Sequence, residues 1–250
     1  MNDVSVAFDR IADRYDATRG GIERGRRFAE AMARWIGPGE RVVELGIGTG
    51  VIAQALRERG IAVVGIDLSV PMLVRARERL GDCVARGDGY RPPLRPGAAD
   101  VVVITWVLQL VPDAPAFLDA AAELLAPGGR LLVVPSEAVR AADDVTGLLD
   151  GMQNVLRPAG MRHAAGILAA VPASLTLIGR DRTAPEAQAK SPADLAAEIR
   201  ARTWSSLWDL DGPTWVRVVA PVLAQLDALP EPRRPRPQIV HHDVLVLGPR

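Results

Sequence analysis

The chain of 250 residues carries 30 basic and 30 acidic side chains for a formal net charge of zero, with 48% hydrophobic residues. That composition suits one globular domain with embellishments and disfavours nucleic acid as a partner, since no basic surplus is present to neutralise phosphates. A single cysteine, Cys83, excludes an intramolecular disulfide. The charged start of the chain and the shortness of its longest apolar run, residues 101–111, predict a cytoplasmic protein with no membrane partner.

In chain order, Phe8, Ile11, Ala12 and Tyr15 recur at helical spacing and give a leading helix one apolar face. Val42–Leu45 is a short apolar run suited to a buried strand. Gly46, Gly48 and Gly50 then alternate, so the backbone turns tightly where a Cβ would obstruct a ligand. Ile52, Ala55, Leu56 and Arg59 mark the helix that follows, and Gly60 is placed to cap it. A second strand, Val63–Ile66, delivers Asp67 at 21 positions after Gly46, close to the separation that sets a carboxylate against ribose hydroxyls. This unit reads as a nucleoside-cofactor site. Ser69 and Pro71 open a helix with Met72, Leu73, Ala76 and Leu80 on one face, and Gly81 closes it. Cys83–Arg86 is the third strand, with Cys83 as a small strand residue. Residues 99–106 form a near-continuous apolar strand of the kind a two-sided parallel sheet buries. Asp113 and Pro115 start a helix carrying Phe117, Leu118, Ala121 and Leu125, and Pro127-Gly128-Gly129 turns into the strand Arg130–Val134.

Beyond Ser136 the pattern predicts a helix over 137–156 with Val145, Leu148, Leu149 and Met152 on its apolar face, and a strand at Leu175–Gly179. Ser191-Pro192-x-Asp194 has the form of a capping box opening a helix through Leu195 and Ile199. The stretch 202–208 holds Trp204 and Trp208. Residues 230–237, rich in proline and arginine, predict a stiff extended linker, and 239–247 a terminal strand on which His241 and His242 alternate in direction.

The run Glu44-x-Gly46-x-Gly48-x-Gly50 departs from the G-x-G-x-x-G spacing of dinucleotide sites and resembles the first motif of class I S-adenosylmethionine-dependent methyltransferases, approximately E/D-x-G-x-G-x-G. An acidic residue is tolerable beside a sulfonium and an amino-acid tail, where a pyrophosphate would be repelled. The resemblance extends motif by motif from about Asp3 to Ser136, including Gly87-Asp88-Gly89, a Pro93-Leu94 loop and the Pro127-Gly128-Gly129 turn. It implies an α/β, Rossmann-like doubly wound sheet of seven strands, mostly parallel with strand 7 antiparallel beside the fifth, plus a helical lid. It also implies S-adenosyl-L-methionine as cofactor, with S-adenosyl-L-homocysteine as product. The implied cofactor residues are Glu44, Gly46, Ile47, Gly48 and Gly50 at the turn and Asp67 on the ribose. Leu68 and Met72 would flank the adenine, Asp88 with Gly89 would take the adenine amino group, and Thr105 and Trp106 would lie beside the sulfonium. The leading helix would close over the cofactor through Tyr15 and Arg19; packing of Tyr15 onto the domain is an equal reading.

The same resemblance frames the acceptor. The segment 202–208 is similar to an Arg-x-aromatic-Ser-x-Leu-Trp stretch near the acceptor pocket of small-molecule methyltransferases, which makes Trp204 and Trp208 substrate candidates against a reading as lid-to-core packing. Gln109 stands where many relatives place a histidine base, so no catalytic residue is named, although Gln109 can orient an acceptor. A magnesium-binding Asp/Asp/Asn set and an amine-holding Asp-Pro-Pro-Tyr segment are absent. The expectation is therefore metal-independent methyl transfer to O, N or C of a small metabolite. A non-methylating cofactor-binding descendant is the alternative, and an NAD(P)-dependent oxidoreductase a weaker one, given the glycine spacing and the single lysine, Lys190. The expected layout is a cofactor core with lid helices over 1–136, and over 137–250 the rest of the same domain, with a helical cap at about 185–230 and the C-terminal strand. The sequence carries no signal of oligomeric state.

Overall fold

The computed structural model describes residues 8–9, 12–156 and 161–250. These fall into two compact units, one within residues 1–137, 161–184 and 242–250, the other within 138–160 and 185–241.

The first unit opens with helices α1 (Ala12–Arg19) and α2 (Gly21–Ala33). Of the expected apolar face of the leading helix, Ile11 lies outside the described residues, and Ala12 is buried. Strand β1 (Val42–Leu45), helix α3 (Val51–Glu58), strand β2 (Val63–Asp67), helix α4 (Val70–Leu80) and strand β3 (Val84–Arg86) follow in alternation. Then come β4 (Ala99–Thr105), α5 (Ala114–Glu123) and β5 (Leu125–Val134). Local chemistry fixes these boundaries. Ser69 caps α4 by accepting from Met72 N–H at 3.3 Å, and Asp113 caps α5 by accepting from Ala116 N–H at 3.0 Å. β5 is longer than the expected Arg130–Val134 because its first residue, Leu125, already pairs with Ala99, and the chain kinks between there and Arg130.

Helix α6 (Ala164–Ala169) and strands β6 (Leu175–Arg182) and β7 (Asp243–Pro249) complete the unit. The sheet order is β3-β2-β1-β4-β5-β7-β6. The pairs from β3 to β5 are parallel, and β7 runs antiparallel to both β5 and β6, as expected for the seventh strand. Both faces are covered, which is why β1 and β4 lack the polar alternation of a half-exposed strand. On one face Val42, Val101 and Val103 pack with Phe28, Met32, Leu56 and Leu73. On the other, Val43, Leu45, Val102 and Ile104 pack with Phe117, Leu118 and Ile167.

The second unit has its own apolar cluster, including Leu149, Met152, Ile199, Leu207, Val219 and Leu226. It contains α7 (Thr146–Leu156), β8 (Glu186–Lys190), α8 (Pro192–Arg200), a helix running Gly212–Thr214, Trp215–Val219 and Ala220–Ala228 through a π-helical middle, and β9 (Arg236–Val240). The expected capping box is present, with Ser191 and Asp194 side chains each bonding the other's backbone N–H.

Three expectations are corrected in this part of the chain. The helix predicted over 137–156 starts only at Thr146, because Val139 exchanges backbone hydrogen bonds with His241 and Asp143 accepts from the N–H groups of Val145 and Thr146, ending any helix on their N-terminal side. The expected linker at 230–237 is instead a turn, with Arg234 N–H bonded to the Glu231 carbonyl, leading into β9, which pairs antiparallel with β8. Arg236 holds that turn by donating to the Pro230, Glu231 and Arg234 carbonyls and to the Asp144 carboxylate. Finally, the strand expected over 239–247 is two strands. His241 and His242 sit at the break between them rather than alternating along one ladder.

Candidate functional site

A cavity of about 180 Å³ lies in the first unit at the C-terminal ends of β1, β2 and β4. This is the edge where βαβ connections leave room for a ligand in an open α/β sheet. The glycine turn forms its floor. Gly46 and Ile47 N–H groups both donate to the Ile66 carbonyl, at 2.8 and 3.1 Å, which ties the turn to β2. Gly46 has φ +75° and a Cβ there would lie 2.4 Å from Val107 Cγ2, so conformation and space both demand glycine. At Gly48, with φ +57°, a Cβ would meet nothing within 4 Å, because the backbone faces the opening. Gly50 serves packing instead: a Cβ would press on Leu80 and Ala76 of α4, and Gly50 is not among the lining residues.

Asp67 closes the turn. Its carboxylate accepts from Gly48 N–H at 2.7 Å and Ser69 N–H at 2.9 Å, leaving further lone pairs on both oxygens for a ligand's hydroxyls. Burial pushes the Asp67 carboxyl above its ordinary range, and these backbone hydrogen bonds oppose that shift. Glu44, on the central strand, is only 2% exposed, and its Oε2 is buried without a hydrogen-bond partner. Burial first, and then the neighbouring charge of Asp67, raise its pKa to about 8. A buried orphan carboxyl oxygen beside an open glycine cradle fits a ligand that brings a donor or a positive charge to this spot.

The other expected residues divide clearly. Tyr15, Ile47, Leu68, Met72, Asp88, Gly89, Thr105 and Trp106 all line the cavity with Glu44, Gly46, Gly48 and Asp67. Thr105 Oγ1 and Trp106 Nε1 are further buried polar atoms without a partner. Trp106 holds a left-handed backbone, φ +58°, unusual for a bulky side chain. Its ring meets Phe28 edge-on at 4.8 Å and lies 3.4 Å below the Arg24 guanidinium. Arg19 and Gln109 are outside the lining; Gln109 donates to the Trp106 carbonyl at 2.5 Å. Trp204 and Trp208 belong to the second unit, where Trp204 Nε1 donates to Glu198 at 3.2 Å. Neither His163, His241 nor His242 lines the cavity: His163 precedes α6, and the His242 ring packs on Phe28 at 5.0 Å.

Sequence reasoning missed several lining residues. Tyr90, Val107, Leu110, Val111 and Phe117 supply an apolar flank. The Tyr90 hydroxyl donates to the Asp113 carbonyl and accepts from its N–H, joining the loop after β3 to the start of α5. Their only signal was nearness to the strand ends. Also missed were Asp9, which accepts from Ser69 Oγ, and Asp16, which accepts from Thr49 and Arg79. These pairs span up to 63 positions, and no local pattern encodes them. Among the described residues no group of three His, Cys, Asp or Glu side chains could hold a metal ion, and no helix is long and apolar enough to cross a membrane.

Comparison with known proteins agrees with this geometry. A methyltransferase domain model matches residues 43–133, the segment that supplies most of the cavity. Demethylmenaquinone methyltransferases are similar in sequence: that of Beutenbergia cavernae is 37% identical over 137 residues, covering 53% of this chain and 57% of the relative. That of Mycobacterium marinum is 38% identical over 135 residues, covering 52% and 58%. The chain thus spans less than two thirds of the length of these relatives. Among solved structures, the cyclase SpnF superposes with TM-score 0.58 at 18% identity over 98% of this chain and 94% of that one. A putative methyltransferase from Bacillus halodurans gives TM-score 0.55 at 15% identity over 90% and 97%; at such identities both speak for the fold alone. The segment that builds most of the cavity thus carries a methyltransferase domain on a Rossmann-like α/β fold.

Proposed function

We propose that the protein transfers a methyl group from S-adenosylmethionine to an oxygen, nitrogen or carbon of a small molecule, without a metal. The observation that carries this reading is the convergence of the family match with one cavity holding Glu44, Gly48, Asp67, Asp88 and Thr105. When bound, the cofactor supplies a methyl group already activated by its sulfonium, so the chain need not provide a covalent nucleophile.

Each residue then has a physical task. Gly48 lets the backbone approach the ligand, and Asp67 offers lone pairs to the ribose hydroxyls. Leu68 and Met72 flank the adenine while Asp88 accepts from its amino group. Glu44 is protonated at neutral pH in the free protein, because burial raises its pKa to about 8. A cationic amino group brought against Oε2 favours its ionised form, so binding expels a proton from Glu44. Thr105 and Trp106, at the end of β4, border the space where the acceptor meets the methyl group, and the apolar flank of Val107, Leu110 and Val111 excludes water from it. No histidine shares the lining, which fits an acceptor that needs no imidazole base.

Calorimetric titration with S-adenosylmethionine, S-adenosylhomocysteine and NAD in parallel tests the cofactor. Micromolar binding of both sulfur nucleosides and none of NAD is expected; binding of NAD alone overturns the reading. Transfer is then assayed with radiolabelled S-adenosylmethionine and demethylmenaquinone, the compound the relatives are named for, followed by a panel of other small metabolites.

A further inference from the structure

Two aromatic-aspartate pairs stand seven positions apart in the leading segment, Phe8-Asp9 and Tyr15-Asp16. Both aromatic rings line the cavity and pack edge-on at 6.1 Å. Each aspartate accepts a hydrogen bond from a hydroxyl at the rim: Ser69 Oγ to Asp9 at 2.5 Å, and Thr49 Oγ1 to Asp16 at 2.6 Å. Ser69 is the N-cap of α4, and Thr49 sits between Gly48 and Gly50. The second Asp16 oxygen accepts from Arg79 at 2.6 Å, and Arg79 also donates to the Thr49 carbonyl at 2.8 Å. A closed ring of three interactions therefore joins α1, the glycine turn and α4. The Arg79 and Asp16 side chains are 25% and 26% exposed, sheltered enough to be stronger than a surface ion pair and wet enough for salt to weaken it. Neither residue lines the cavity.

We infer that Asp16 and Arg79 are positioning residues: with Thr49 they form a latch that holds Tyr15 over the cavity and sets how long a bound nucleoside stays. The inference rests on the cofactor reading above for its ligand. The ring is already closed in this structure, so it must open for a nucleoside to enter and to leave, and contact of the bound nucleoside with Tyr15 adds to the barrier on leaving alone.

The test uses S-adenosylhomocysteine in stopped-flow binding, with amide hydrogen exchange over residues 12–19 of the ligand-free protein. Asp16→Asn should speed dissociation about tenfold, the scale of one partly screened charged hydrogen bond, and speed association as well but by less. Added salt should speed dissociation from the wild type and lose that effect in Asp16→Asn. Arg79→Met should behave like Asp16→Asn, Asp16→Glu should restore part of the residence time, and exchange over 12–19 should quicken in the first two variants. Wild-type dissociation with wild-type protection in Asp16→Asn overturns the latch. Parallel loss of association and of protection throughout the chain overturns it too, by making the role structural. Should the wild type bind no S-adenosylhomocysteine, the cofactor reading fails and the residence claim with it; the exchange arm still decides separately whether Asp16 holds α1.

Discussion

Both units bury apolar clusters, but the first adds a cavity edge whose residues are individually constrained, and that difference governs how much each constrains its sequence. In the first, backbone geometry at the strand ends leaves almost no choice: Gly46 is boxed in by Val107, Asp67 must meet the N–H groups of Gly48 and Ser69, and Glu44 occupies a buried strand position no apolar packing rule would give it. In the second, an apolar cluster is framed by helix caps and by Arg202, which donates to the Leu207, Trp208 and Leu210 carbonyls and stacks on Trp215 at 4.6 Å. Many side-chain sets can fill such a cluster. The first unit is written in specific residues, the second in a hydrophobic pattern, and nucleoside affinity should respond to substitutions accordingly.

Gly48→Val is expected to separate them most sharply. The new side chain would require φ +57°, a region costing a β-branched residue about 1–2 kcal/mol, and would project into the open cavity. Affinity for S-adenosylhomocysteine should fall beyond calorimetric detection while the far-ultraviolet circular dichroism stays that of the folded chain. Retained affinity would remove the glycine turn from the site.

Asp67→Ala should come next. Loss of a charged acceptor for two hydroxyls costs about 2–3 kcal/mol, or roughly 30- to 150-fold in the dissociation constant. Because Asp67 also fixes Gly48 and Ser69, Asp67→Asn is the finer probe: it keeps one acceptor and should lose less. Equal affinity of wild type and Asp67→Ala, measured by calorimetry, would reassign the carboxylate to turn structure alone.

Glu44→Gln sharpens the comparison through pH. The carboxyl titrates at an ordinary 4.5 when unfolded and at about 8 when folded, so the folded state holds the proton more tightly. Its contribution to stability is complete below pH 4.5 and is lost as pH rises through about 8. The ligand-free wild type should therefore melt at progressively lower temperature across that window, and Glu44→Gln should show a flatter profile. The cationic ligand favours the ionised form, so wild-type affinity should rise with pH over the same range and that of Glu44→Gln should not. A pH-independent difference between the two proteins would sink the assignment.

How far the sequence revealed all this follows the same division. Val42–Leu45, the three glycines, Asp67 and the Ser69 cap were legible because each reports a backbone demand within a few residues, whereas the seven-stranded sheet with its antiparallel seventh strand was implied by the family resemblance those motifs carry. The onset of α7 at Thr146 was hidden, since it depends on Val139 pairing with His241, about a hundred positions away. Proline content at 230–237 suggested an extended linker, but Arg236 gathers three carbonyls and Asp144 around itself, an arrangement no local rule anticipates. The apolar flank of the cavity was missed for a related reason. Tyr90 and Phe117 become neighbours, 5.3 Å between ring centres, only once the loop after β3 folds beside α5.

The smallest effect on nucleoside affinity is expected from the second unit. Trp204 packs at the edge of its apolar cluster and donates to Glu198, which also receives Lys190. Trp204→Ala removes a large partly buried ring and one hydrogen bond, a loss of about 2–3 kcal/mol when the site cannot collapse around the gap. That loss should appear as faster amide exchange over residues 192–228, with S-adenosylhomocysteine affinity unchanged within about twofold, roughly 0.4 kcal/mol. Trp204→Phe, which keeps most of the ring, should recover much of the protection. If Trp204→Ala weakened nucleoside binding as strongly as Asp67→Ala, the two units would not be energetically separate, and the division between a residue-specific site and a pattern-specified second unit would fail.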